Sequence, residues 1–104
     1  MFEFLKNKLT SAKSVDLAAL VKEGVKIVDV RSPDEFQEGH IQGAVNIPLQ
    51  ILSSRLSTLR KDQPVIVCCA SGMRSSSAKR ILEADGFAEV HNGGGWRQLQ
   101  SLLG

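Results

Sequence analysis

Cys69-Ala70-Ser71-Gly72-Met73-Arg74-Ser75 is the segment whose residue types and spacing can do chemistry. The apolar, β-branched run Val65-Ile66-Val67 precedes it, and Ser75-Ser76-Ser77-Ala78-Lys79-Arg80-Ile81-Leu82, able to open a helix, follows it. A cysteine therefore falls where a buried strand ends and a short loop enters a helix N-terminus. Unpaired backbone N–H groups and the positive end of the helix dipole gather at such a place. Arg74 adds a formal positive charge. These features favour the thiolate, the nucleophilic form of cysteine.

The elements that must hold this segment alternate between strand and helix patterns. Ser14 is placed to cap a helix over Val15 to Glu23, with Leu17, Leu20 and Val21 on one face and Gly24 as its stop. Val25 to Val30 reads as a strand, and Ser32-Pro33 opens a short helix through Glu38, closed by Gly39. Ala44 to Ile47 reads as a second strand ended by Pro48, and Leu49 to Leu59 is helical in pattern. Pro64 to Cys68 is almost wholly apolar, as a strand covered on both faces is. Ser75 to Asp85 reads as a helix with Ala78, Ile81 and Leu82 inward, capped by Gly86. Ala88 to His91 is a last strand, Gly93-Gly94-Gly95 a turn, and Trp96 to Leu103 a closing helix. This alternation predicts an α/β domain with a mainly parallel sheet of about four to five strands. Active sites of such sheets lie beyond the carboxyl ends of the strands, where Cys69 falls.

Length and composition set the outer bounds. The 104 residues suit one compact domain, and 42% hydrophobic content is enough for a core without disulfide or metal staples. The two cysteines, Cys68 and Cys69, are adjacent and cannot cross-link distant segments, which favours a reducing compartment, the cytoplasm. The net charge of +2 is scattered, with no basic stripe to suggest nucleic acid. No apolar stretch approaches the roughly 20 residues of a membrane span. Residues 1–13 read as an extension or docking segment before a domain over 14–104, with Phe2, Leu5 and Leu9 at helical spacing. The adjacent cysteines and the distant His40 and His91 make a poor ligand set, so no metal and no cofactor is expected.

Four segments together resemble the single-domain rhodanese family of thiosulfate-type sulfurtransferases. They are Asp29-Val30-Arg31 with Asp34-Glu35-Phe36, then Gly39 to Pro48, then Cys69 to Ser75, then Asn92-Gly93-Gly94-Gly95-Trp96. In order and spacing they cover about residues 14 to 103. The resemblance implies the rhodanese-like fold, with helices on both faces of the sheet. It also implies that a Cys69 thiolate takes the sulfane sulfur of a small donor, thiosulfate or a persulfide, as a Cys69 persulfide. The sulfur then passes to cyanide or a thiol acceptor, such as glutathione or a small redox protein. Backbone N–H groups from Ala70 to Ser75 would surround the anionic sulfur, with Gly72 allowing the tight turn and the Ser71 and Ser75 hydroxyls adding donors. Arg74 would hold the anionic donor or rigidify the loop.

Two other readings stay open at this level. Counted from Cys68 the segment is Cys-x5-Arg-Ser, the spacing of cysteine phosphatases and arsenate reductases; counted from Cys69 it is Cys-x4-Arg, that of sulfurtransferases. Gly72 and the apolar run leading into Cys68 favour Cys69, and Val67 stands where a phosphatase commonly has histidine. A rhodanese-like carrier or protein-binding module with little turnover is the other. Positions after Cys69 that often carry cations in thiosulfate-preferring enzymes are Ala70 and Ser71 here, so weak thiosulfate binding is expected. His40 belongs to a structural turn and His91 is incidental. Asp29 and Arg31 make internal hydrogen bonds or ion pairs, such as Arg31 with Glu35 or Glu38. Trp96 anchors the core, and Arg55, Arg60 and Lys61 form a solvated face. The glycine triplet lacks the spacing of a dinucleotide fingerprint.

Overall fold

The computed structural model describes residues 15–104, so the docking segment proposed for residues 1–13 and the Ser14 cap lie outside the described residues. The elements are α1 (Leu17–Lys22), β1 (Lys26–Asp29), α2 (Pro33–Glu38), β2 (Val45–Asn46), α3 (Leu49–Leu52), a 3-10 turn (Leu56–Thr58), β3 (Val65–Cys69), α4 (Met73–Ala84), β4 (Val90–Gly95) and α5 (Trp96–Leu103). The four strands are parallel, in the order β2-β1-β3-β4. No helix among the described residues is long and apolar enough to cross a membrane.

β3 lies between β1 and β4, and all five of its residues are buried, which accounts for its uninterrupted apolar sequence. Its side chains alternate between two cores, because successive Cβ atoms of a strand point to opposite faces. Val65, Val67 and Cys69 join Leu52, Leu59, Ala78, Leu82 and Phe87 on the α3–α4 face. Ile66 and Cys68 join Ile27, Ile41 and Leu99 on the other, with Leu17, Leu20, Val21, Trp96 and Leu103 packed against them. Helices cover both faces of the sheet, as expected of the fold.

Local chemistry sets the element ends. Ser32 caps α2 in a reciprocal box with Glu35: the Glu35 N–H donates to Ser32 Oγ at 3.2 Å, and the Ser32 N–H to Glu35 Oε1 at 3.0 Å. α4 ends in a Schellman motif: the Phe87 N–H bonds the Leu82 carbonyl, the Gly86 N–H bonds that of Glu83, and Phe87 is buried below.

Several boundaries differ from the sequence expectations. α1 begins at Leu17 and is capped by Asp16, whose carboxylate accepts from the Ala19 N–H. The helix expected over Leu49 to Leu59 breaks after Leu52, although Leu52 and Leu59 are buried as its spacing requires. Ser54 Oγ and Thr58 Oγ1 each donate at 2.7 Å to the carbonyl three residues back, a local bond that competes with helix continuation. The glycine triplet is not a turn after a strand ending at His91. It continues β4: Asn92 lies opposite Val67, and a register shift after that pair sets Gly94 opposite Cys68. β3 includes Cys69, and α4 starts two residues earlier than expected, at Met73.

Candidate functional site

Cys69 is the last residue of the central strand, and its Sγ lies under the first turn of α4 on the α3–α4 face. The loop reverses at Gly72, whose φ of 103° is a left-handed conformation that suits glycine. That reversal turns two backbone donors onto the sulfur: the Gly72 N–H at 2.9 Å and the Ser75 N–H at 3.3 Å. The Ser75 side chain is fully buried, with Oγ 3.5 Å from Sγ. Burial by itself raises the Cys69 pKa. The contacts of the sulfur with Ser75, Gly72 and Ser71, the backbone N–H donors among them, outweigh it and hold the thiol below its ordinary value.

Cys68 has the opposite environment. It points to the α1–α5 face and is fully buried among Ile27, Ile66 and Leu99. Burial, with the negative charge of Asp29 nearby, pushes its thiol up to about 12. The Cys68 thiol thus lacks the loop donors that face Cys69, which counts against the Cys68-centred phosphatase reading. The two counts to Arg74 start from adjacent cysteines that lie on opposite faces of one strand.

Two cations of the site, Arg74 and Arg31, are tied down. Arg74 makes a two-pronged ion pair with Glu35, Nη1 to Oε1 at 2.7 Å and Nη2 to Oε2 at 3.0 Å. The guanidinium, with the Ser32 backbone and hydroxyl, holds the Glu35 carboxyl down at about 2. Arg74 thus staples α4 to α2. Arg31 pairs with neither Glu35 nor Glu38, contrary to the sequence expectation. Its Nε and Nη2 donate to the buried Asp29 carboxylate at 2.9 and 2.7 Å, and its remaining donors reach the Glu35 and Gly39 carbonyls. It also stacks over Trp96, 4.7 Å from the ring centroid. Trp96 packs against the α1–α5 core.

The other singled-out residues lie apart from the sulfur. His40 stacks on Phe36 and contacts its carbonyl through Nδ1 at 2.7 Å, and His91 Nε2 lies 2.6 Å from Glu89. Arg55, Arg60 and Lys61 are exposed. Ala70 and Ser71 are exposed at the loop, and the Met73 side chain is 79% exposed at its rim. A cavity of about 170 Å³ opens beside the loop, lined by Arg31, Glu35, Glu38, Gly39, Ala70, Trp96 and Arg97. Among the described residues, no group of three or more His, Cys, Asp and Glu side chains could hold a metal ion.

Two participants make contacts that the sequence reading does not assign. Glu35 reads locally as a helix cap, and nothing in the chain signals its bond to a residue 39 positions away. Asn92 accepts from both Ser75 Oγ and the Gly94 N–H; its only sequence signal is its place ahead of the glycine triplet.

Comparison with known proteins agrees with this architecture. The profile of the rhodanese-like domain matches residues 13–101, and the chain belongs to that family. Thiosulfate sulfurtransferase PspE of Escherichia coli (strain K12) is 40% identical over 74 residues, covering 69% of this chain and 71% of PspE. YqhL of Bacillus subtilis (strain 168) is 43% identical over 67 residues, and the match spans about half of that longer protein, 53%. Among solved structures, a rhodanese of E. coli with anions superposes with a TM-score of 0.69 at 39% identity, covering 72% of this chain and 91% of that one. The human single-domain sulfurtransferase gives a TM-score of 0.75 at 26% identity, covering 82% and 89%.

Proposed function

We propose that this chain is a thiosulfate sulfurtransferase-type enzyme that carries a sulfane sulfur as a persulfide on Cys69. The observation that carries the reading is the pair of backbone N–H groups, from Gly72 and Ser75, aimed at Cys69 Sγ. Oriented dipoles of this kind stabilise an anionic sulfur without a reorganisation step.

The chemistry then runs in two balanced steps. The Cys69 thiolate attacks the outer sulfur of the donor, a new S–S bond forms, and the donor's S–S bond breaks. With thiosulfate the leaving group is sulfite, which departs with the electron pair and leaves Cys69 as a persulfide anion. An acceptor thiolate attacks the outer persulfide sulfur, takes it, and returns Cys69 as thiolate. Cyanide as acceptor gives thiocyanate in the same way. The loop from Ala70 to Ser75 forms the substrate-binding edge, with Ser71 on its exposed side.

The donor and acceptor classes follow from charge. Thiosulfate carries two negative charges, and the loop's one cation, Arg74, is already neutralised by Glu35. This favours a persulfide donor over thiosulfate. A thiol acceptor, glutathione or a small redox protein, suits the exposed Ala70, Ser71 and Met73 rim. Two free, adjacent thiols are compatible with a reducing compartment such as the cytoplasm.

Intact mass after incubation with thiosulfate, and separately with glutathione persulfide, tests the assignment in the parent, Cys68→Ser and Cys69→Ser proteins. The expected result is a gain of roughly 32 Da, one sulfur atom, reversed by cyanide or dithiothreitol. It should occur in the parent and Cys68→Ser and be absent from Cys69→Ser. The same adduct in Cys69→Ser would refute the assignment. Loading without catalytic release to thiol acceptors would instead favour the carrier reading.

A further inference from the structure

Ser75 has one hydroxyl proton and three acceptors competing for it. Its Oγ lies 2.7 Å from Asn92 Oδ1, 3.1 Å from the Gly72 carbonyl and 3.5 Å from Cys69 Sγ. The identity of the Asn92 atom is fixed by its second contact. The Gly94 N–H donates to it at 2.9 Å, so it is the amide oxygen and brings no proton of its own. The 2.7 Å contact therefore uses the proton of Ser75. What Ser75 then turns toward Cys69 is a lone pair, which accepts the Sγ–H of the neutral thiol. Ser75 is fully buried, so water does not supply a second donor to relieve the competition. The β3–β4 pairing sets Asn92 opposite Val67, on the same sheet face as Cys69, within reach of Ser75, and the register shift follows it at Gly93.

We propose that Asn92 is a positioning residue that withholds the Ser75 hydroxyl proton from Cys69. The proposal rests on the assignment of Cys69 as the sulfur nucleophile. Its consequence is a trade between two quantities. A thiolate that receives one hydrogen bond fewer is harder to form, yet it is the stronger nucleophile once formed, because thiolate nucleophilicity rises with basicity. In the persulfide the inner sulfur is no longer an anion, so the Ser75 proton can stay with Asn92 through the loaded state. Asn92 thus favours the attacking and loaded sulfur over a quenched resting thiolate. The chain Cys69–Ser75–Asn92 ends in an amide oxygen, so it orients a proton and does not remove one.

The test is the pH profile of alkylation by iodoacetamide, read at Cys69 by peptide mass mapping. Alkylation involves no sulfur transfer, so its outcome stands apart from the thiosulfate-loading experiment. The charged and titratable groups on the elements around Cys69 stay as they are: Cys68 on β3, Asp29 at the end of β1 and Arg31 just after it, Glu35 on α2, Arg74 on α4, Glu89 and His91 at β4, and Arg97 on α5. In Asn92→Ala the midpoint is expected about one pH unit lower, a roughly tenfold gain in thiolate at a given pH. The plateau rate at high pH is expected about threefold lower, following the nucleophilicity relation. Both changes should vanish when Asn92→Ala is made in a Ser75→Ala background. Asn92→Ser keeps an acceptor for the Gly94 N–H but is too short for Ser75, so it should reproduce both changes even if the alanine variant folds poorly. A midpoint that stays or rises in both Asn92 variants, or the same shift without Ser75, overturns the proposal. Mere loosening of the loop would raise the midpoint by weakening the Gly72 and Ser75 N–H bonds.

Discussion

Replacing Asp29 by Asn isolates the buried ion pair that holds the carboxyl edge of β1. Asp29 is fully buried and Arg31 is 3% exposed. The carboxylate accepts from Arg31 at three points: the backbone N–H at 3.0 Å, Nε at 2.9 Å and Nη2 at 2.7 Å. An asparagine keeps one oxygen for these donors and turns an amide N–H₂ toward the others. Arg31 cannot swing to water, because its other N–H groups bond the Glu35 and Gly39 carbonyls and its plane lies over Trp96. Breaking a buried pair by removing one partner typically costs about 3–5 kcal/mol, since a charge is left uncompensated. For a domain of this size that corresponds to a fall of roughly 15–30 °C in Tm. Urea unfolding followed by circular dichroism measures it, with an unchanged m-value showing that stability alone has moved. The double variant Asp29→Asn/Arg31→Met should lose less than the two singles together, with a coupling of at least about 2 kcal/mol. A loss below about 1 kcal/mol in Asp29→Asn, the scale of a solvated surface pair, would refute the reasoning.

The remaining predictions concern the loop. Gly95→Ala has an ordinary backbone conformation, but its Cβ would sit 2.9 Å from the Ala70 carbonyl oxygen. The loop must shift, so sulfur loading should fall at least about tenfold while stability falls by about 1–3 kcal/mol; unchanged loading kinetics would show that loop position is not critical. Glu35→Gln keeps a residue type that serves the capping box but frees the charge of Arg74. The KM for thiosulfate should drop about three- to tenfold, by the attraction of an unpaired cation for a dianion, and steady-state kinetics showing no drop would remove Arg74 from donor binding. With its carboxyl held at about 2, Glu35 contributes stability in full above the ordinary carboxylate value of 4.5 and loses it as pH falls toward 2. Acid unfolding between those limits should therefore be shallower in Glu35→Gln than in the parent.

What the chain determined by itself is local. The Ser32-Pro33 start of α2, the Gly86 stop of α4, the Trp96–Leu103 helix and the strand before Cys69 are legible because caps, turns and apolar runs act over a few residues. The loop from Cys69 to Ser75 is legible for the same reason: its strand, its glycine and its helix start are contiguous. The tertiary structure decided what contiguity cannot. The contrast between the two thiols turns on Cys69 ending β3 as its last strand residue, so that strand alternation sends Cys68 into the opposite core. Arg74 meets Glu35 only because β1 and β3 are neighbours, which brings α2 and the start of α4 to the same edge. Arg31 turns back to Asp29 instead of along α2 because a buried carboxylate without it would be uncompensated. The break after Leu52 and the shifted register at Gly93 depend on how a segment competes between its own short-range bonds and its packing neighbours, such as Leu99 and Ile66 against Gly93. Periodicity alone does not weigh that competition.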